Sequence, residues 1–266
     1  MLLLSACSPA TPRGAATALP RIVSLNPCTD AVLAEVADPE QILALSSYSS
    51  DPDSSSMDLA VARRFAVVDG TVEEVIALQP DLVLGSTFVS PATRDALARL
   101  GFRYEDFGIN PDVADSLAQI RTIAALARHP ERGEALVARI EAALAANAPP
   151  PGAPITAVVW QSSGIVPGKA TLISELLART GFVNAAAAKG MGQADVLPLE
   201  MMLADPPRLI LAAGNPESNE DRMLAHPALA RLQNTRRERY DSALLWCGGP
   251  TIVRAAERLG AVRRGL

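Results

Sequence analysis

The sequence predicts an α/β fold: two similar lobes, each with a mainly parallel sheet, arranged around a helical connector. Three observations carry this. Short apolar runs alternate with helical stretches from residue 21 onward, the pattern of βα units. Residues 72–84 and 199–211 line up without a gap, so that Glu73 meets Glu200 and Pro80 meets Pro207. An acidic residue opening a helix, a proline turn and a buried strand thus occur once in each half, as a duplicated lobe requires. Between the halves run the Ala-, Leu- and Arg-rich tracts 113–127 and 131–145, ended by Pro149-Pro150-Pro151-Gly152. The length alone, 266 residues, amounts to roughly 1.8 ordinary domains and does not decide between one domain and two.

The elements follow in order. Residues 22–25 read as a buried strand, 29–36 as a helix, 42–45 as a strand and 67–68 as a short third strand. A helix at 72–78, a strand at 82–85 and a helix at 94–100 complete the first half. The second half opens with a strand at 155–160, followed by a helix at 172–179 and a strand at 209–212. It closes with an apolar strand at 243–246 and a helix at 251–259. The expected division is a truncated leader and tether at 1–20, a lobe at 21–128, a connecting helix and linker at 129–152, and a lobe at 153–266.

Composition removes several function classes. Hydrophobic residues at 49% and charged ones at 20% exclude a disordered chain. A net charge of -5, with Lys169 and Lys189 the only lysines, gives no basic stripe for nucleic acid. No run of 18 apolar residues would span a membrane. Leu4-Ser5-Ala6-Cys7 resembles a lipobox that would place a lipid on Cys7, although only four residues stand where a full leader is expected. There is no nucleophile elbow and no C-x-x-C pair. Residues 164–170 lack the spacing and the Ser or Thr of a phosphate loop and read as a solvent-exposed turn. His129 and His226 each precede a proline in turns far apart in sequence, so no metal site is expected. Residues 46–56 read as a plain polar loop.

What remains sits at strand ends, where parallel α/β sheets bind ligands. Asn26, Pro27 and Cys28 follow the first strand, Tyr48 the second and Phe88 the strand at 82–85. Trp160 and Gln161 end the first strand of the second half, and Leu245, Trp246, Cys247, Gly248 and Gly249 end the last. Cys28 and Cys247 fall between a strand end and a helix start, one in each half. If Cys7 carries a lipid they are the only available pair, and a disulfide between them would need Cα atoms within about 7 Å. Free thiols lining a cleft, or ligating a metal in a bound complex, form the competing reading.

These stretches resemble a known family, the periplasmic substrate-binding proteins of ABC importers for cobalamin and ferric siderophores, the helical-backbone metal-receptor type. The likeness is carried by residues 21–27, 46–49, 73–84 and 246–259. It implies two α/β lobes bridged by one long helix, for which 131–145 is suited, and a ligand cleft between them. It also implies a periplasmic monomer that is not an enzyme and holds no cofactor of its own. In the cobalamin branch, which this chain looks most like, the position of Tyr48 and the loop matching 245–249 contact the corrinoid. The family presents one glutamate per lobe to permease arginines, and Glu73 and Glu200 occupy those positions. The chain departs from the pattern in three ways. Cys28 and Cys247 are not shared with the best-known cobalamin binder, Thr180 and Gly260 stand where that protein has cysteines, and Val196 stands near a missing cleft tryptophan. The cleft loops carry almost no cation, Lys189 excepted, which suits a large, nearly neutral corrinoid better than an anionic ferric siderophore. Haem is a further ligand of the same fold. The rival of another class is an α/β enzyme with Cys28 as nucleophile, which lacks a basic partner.

Overall fold

The computed structural model describes residues 18–52, 54–149, 151–214 and 226–266. The lipid site expected at Cys7, nearly all of the tether, and Pro150 of the linker lie outside them. The first lobe begins with β1 (Ile22–Ser24), α1 (Pro27–Val36), β2 (Ile42–Ser46), α2 (Leu59–Ala62) and β3 (Val67–Val68). It continues with α3 (Val72–Leu78), β4 (Leu82–Ser86), α4 (Pro91–Arg99) and β5 (Tyr104–Phe107). All five strands run parallel in the order β3-β2-β1-β4-β5. The chain winds outward from β1 to β3 and then crosses back to β4, which makes the gap between β1 and β4 a topological switch point.

Local chemistry sets the helix starts. Asn26 caps α1 by accepting from the Cys28 amide at 2.9 Å, with Pro27 at the first helical position. Thr71 and Glu74 form a capping box at α3, and Gln79, left-handed at φ 49°, ends that helix before Pro80.

Two helices follow, α5 (Val113–Leu126) and α6 (Pro130–Ala146). In α6 the buried residues Gly133, Leu136, Val137, Ile140 and Leu144 recur at helical spacing. Gly133 is needed there because a Cβ would lie 2.5 Å from the Ala124 Cβ of α5. The connecting helix therefore does not stand free. One apolar cluster runs from Ile22 through α1, α5 and α6 to Ile155 and on to Val262, so the lobes share a continuous core. His129, expected as a surface turn residue, is mostly buried instead, with Nε2 2.8 Å from Gln41 Oε1.

The second lobe consists of β6 (Ile155–Trp160), β7 (Ile165–Val166), α7 (Leu172–Arg179), β8 (Phe182–Asn184), α8 (Ala185–Ala188) and β9 (Asp195–Val196). It ends with α9 (Leu199–Ala204), β10 (Leu209–Ala212), α10 (Pro227–Ala230), β11 (Arg236–Arg239) and α11 (Thr251–Arg264). Its parallel sheet has the order β11-β10-β6-β8, with the switch point between β6 and β10. The repeated stretches α3–β4 and α9–β10 each place a strand beside the first strand of the lobe, as the internal alignment implies. The last strand is β11, not residues 243–246. Those residues form a 3-10 turn (Ser242–Leu244) and the loop after it.

The stretch expected as a solvent-exposed turn at 164–170 is also corrected. β7 pairs antiparallel with β9, and Val166 and Gly168 are buried. Gly168 donates to Gly192 O at 2.7 Å, and a Cβ on it would sit 2.2 Å from Met191 O. Gly168→Ala must therefore push these backbone segments away from each other. We expect a loss of about 1–3 kcal/mol, read as a lowered urea midpoint at unchanged m-value; an unshifted midpoint would refute this packing role.

Candidate functional site

The carboxyl ends of β1, β2, β4 and β5 lie along one edge of the first sheet and carry the loops at Asn26, Tyr48, Phe88 and Ile109. Three of these present large apolar side chains to solvent: Tyr48 is 59% exposed, Phe88 76% and Ile109 64%. Ile109 was not anticipated, because β5 has a polar sequence and was invisible to hydropathy. At the switch point Asn26 is itself buried, and its Nδ2 donates to Gly85 O at 3.5 Å, joining the loop after β1 to the end of β4.

The loop 245–249 brings the second lobe to this edge. Cys28 and Cys247 are joined in a disulfide with Cα atoms 5.1 Å apart. Gly249 donates to Ser116 Oγ at 2.7 Å, and Gly249 adopts φ +64°, a conformation glycine takes without strain. A Cβ on Gly248 would lie 2.4 Å from Ser116 Oγ. Cys247, Gly248 and Gly249 are buried at this junction, where they fix the loop, whereas Trp246 stays 52% exposed. Leu245 and Gln161 are half-buried nearby in their loops. With Cys28 bonded to Cys247 no thiol is left among the described residues for nucleophilic attack or metal ligation, so the readings that gave those roles to Cys28 and Cys247 are withdrawn.

Trp160 is a correction. It is fully buried among Val158, Val166, Leu197, Met202, Ile210 and Leu229. Its strand ends inside the lobe, and the side chain points into the core instead of the cleft. Lys189 is ion-paired with Asp205. The loops at 26–28, 47–50, 87–89, 108–111, 161–164 and 241–249 contain no lysine or arginine.

The serine-rich stretch is a built motif, not a plain polar loop. Tyr48 sits in a 3-10 turn, Ser47–Ser50, flanked by Ser46 and Ser49. The Oδ2 of fully buried Asp30, on α1, accepts from Ser46 N at 3.0 Å, Ser46 Oγ at 2.7 Å and Ser49 Oγ at 2.7 Å. Burial raises the Asp30 pKa to about 7, against the lowering effect of its serine hydrogen bonds. Sequence reasoning missed Asp30. The only signal for it was an acid four residues into a helix facing a serine cluster.

Glu73 and Glu200 are exposed in the first turns of α3 and α9. Each of these helices leads into a parallel strand, so its N-terminus lies at the carboxyl edge of its sheet. Neither glutamate has an ion-pair partner among the described residues. Two surface cavities are present, of about 600 Å³ around Arg208 and Arg236 and about 380 Å³ between α5, α6 and Arg179. Among the described residues no group of three His, Cys, Asp or Glu side chains could hold a metal ion, and no helix is long and apolar enough to cross a membrane.

Two parallel α/β lobes with exposed apolar side chains on loops at the carboxyl edge of the first sheet have the architecture of a binding protein. The chain belongs to the periplasmic binding protein family, whose pattern matches residues 22–240, and membership implies a periplasmic location. The fold is similar to that of the haem-binding protein RhuT from Roseiflexus sp. RS-1 in apo form, at 21% identity and TM-score 0.72, over 93% of this chain and 99% of that one. It is also similar to the vitamin B12-binding protein BtuF of Vibrio cholerae, at 20% identity and TM-score 0.66, over 92% and 97%. A periplasmic binding protein from Veillonella parvula gives TM-score 0.76 at 15% identity, over 94% and 93%. No curated protein matches the chain.

Proposed function

We propose that the chain is the substrate-binding component of an ABC importer, a monomer tethered through Cys7 that captures a corrinoid between its lobes. Delivery to the permease goes through Glu73 and Glu200. The observation that carries the ligand class is the pairing of exposed Tyr48, Phe88, Ile109 and Trp246 with loops that hold no lysine or arginine. Flat apolar walls without cations suit a large, nearly neutral macrocycle, whereas an anionic ferric siderophore calls for arginines. Haem is the second reading. It has the same flat shape, and the exposed Tyr48 phenol is an oxygen ligand of the kind ferric haem accepts.

The test is a visible absorption spectrum after incubation with cyanocobalamin, haemin or a panel of ferric siderophores, followed by desalting. A retained corrin spectrum at one ligand per chain is the expected result. A retained Soret band with haemin alone would transfer the assignment to haem, and retention of siderophores only would overturn the neutral-ligand argument.

A further inference from the structure

Resting on that reading of the cleft, we infer that the first turn of α1 sets the placement of both aromatic walls, through Cys28 on one side and Asp30 on the other. The two residues are two positions apart on one helix. Asp30 pins the Tyr48 turn from below through the three serine hydrogen bonds, which leaves the phenol outside. Cys28 holds the residue next to Trp246 through the disulfide. The bond is thus a positioning device for Trp246 as well as a cross-link. Without it, loop 245–249 is held to the first lobe by the Gly249–Ser116 hydrogen bond.

Holding a binding side chain in its bound position lowers the ordering cost of association, and losing that hold costs on the order of tenfold in affinity. The two tryptophans separate the readouts. Trp160 is fully buried and Trp246 half-exposed, so iodide quenching of the tryptophan fluorescence, excited selectively over tyrosine, reports Trp246 alone.

The experiment compares oxidised wild type with C28S/C247S at a temperature where both are fully folded. The wild-type bond is also reduced with a water-soluble phosphine: phosphorus attacks one sulfur and breaks the S–S bond, and water then supplies the oxygen of the phosphine oxide and the hydrogens of the two thiols; this arm stands if the double variant fails to fold. D30A and D30N extend the test to the Tyr48 side. Both forms lacking the bond should show increased iodide quenching and roughly tenfold weaker binding of cyanocobalamin. D30A should weaken binding, while D30N, which keeps an acceptor oxygen for the serines, should restore it. Unchanged quenching and affinity without the bond would overturn the inference and leave the disulfide a stabiliser only. If oxidised wild type binds neither cyanocobalamin nor haemin, the ligand assignment fails, and the ligand-free quenching still decides the clamp.

Discussion

Reversing both charges in E73R/E200R should abolish delivery of ligand by the permease and leave ligand affinity unchanged. The two glutamates occupy equivalent places in the two lobes, each in the first turn of a helix that starts at the cleft-bearing edge of its sheet. Both are exposed and without an ion-pair partner among the described residues, so their charges are available to a partner. A docked charge pair is worth about 2 kcal/mol or more when one member is removed. Two lost pairs therefore weaken docking on the order of a thousandfold, before the repulsion introduced by arginine is counted. Each substitution also sets a cation against a helix N-terminus, which costs about 0.3–1 kcal/mol in stability and leaves the fold intact. The check is uptake into vesicles carrying the permease, beside a binding titration on the same preparation. Single reversals should fall between wild type and the double variant. Equal loss of affinity and of uptake would mean that the glutamates serve the cleft and not the docking surface.

The repeated lobe was legible because its signal is redundant. In α3–β4 and α9–β10, glutamate, proline and apolar periodicity coincide at the same spacing. Central strands such as β6 and β10 are buried on both faces and read as continuous apolar runs. β5 and β11 lie at sheet edges and carry polar residues where one side meets water. β11 is Arg236-Arg237-Glu238-Arg239, a charged edge of the kind that resists pairing with other chains. The apolar run at 243–246 read as a strand because hydropathy reports burial, not its geometry. Leu244 and Cys247 are buried there by lobe packing, without a ladder.

Part of the candidate site is legible because large apolar side chains stand in water on its loops. Tyr48 and Phe88 are exposed aromatics just past strand ends, and their residue type and position are both visible in the sequence, whereas Trp246 is exposed on a loop after a 3-10 turn and not at the end of a strand. Trp160 has the same type and a similar position, but its direction depends on packing against β7 and α9, which no local pattern encodes. The long connector likewise looked like a strut. Its neighbours decide otherwise, since α1, α5 and α11 enclose it in one core. Moving one lobe against the other would open that cluster, so the shared core opposes a wide hinge.

Asp30 should make the folded protein lose stability as the pH rises toward neutrality, and D30N should remove that loss. Its carboxyl is fully buried, with Oδ1 unpartnered and Oδ2 accepting from Ser46 and Ser49. The folded-state pKa is raised from 3.8 to about 7, chiefly by desolvation. For an acid whose folded pKa is raised, the stabilisation relative to the ionised state is fully present below the unfolded value. It declines as the pH climbs through the window up to about 7, because the folded state then holds a proton the unfolded chain has released. A window of about three units corresponds to about 4 kcal/mol. Asparagine cannot ionise and keeps an acceptor for the serine hydroxyls, so D30N should gain on wild type progressively between about pH 4 and about 7, with the difference levelling off above that. Alanine leaves those buried hydroxyls without their acceptor, so D30A should be less stable than D30N throughout. Urea unfolding across that range reads the difference directly. Parallel curves for wild type and D30N would show that Asp30 stays ionised in the fold, held by the serines against its burial.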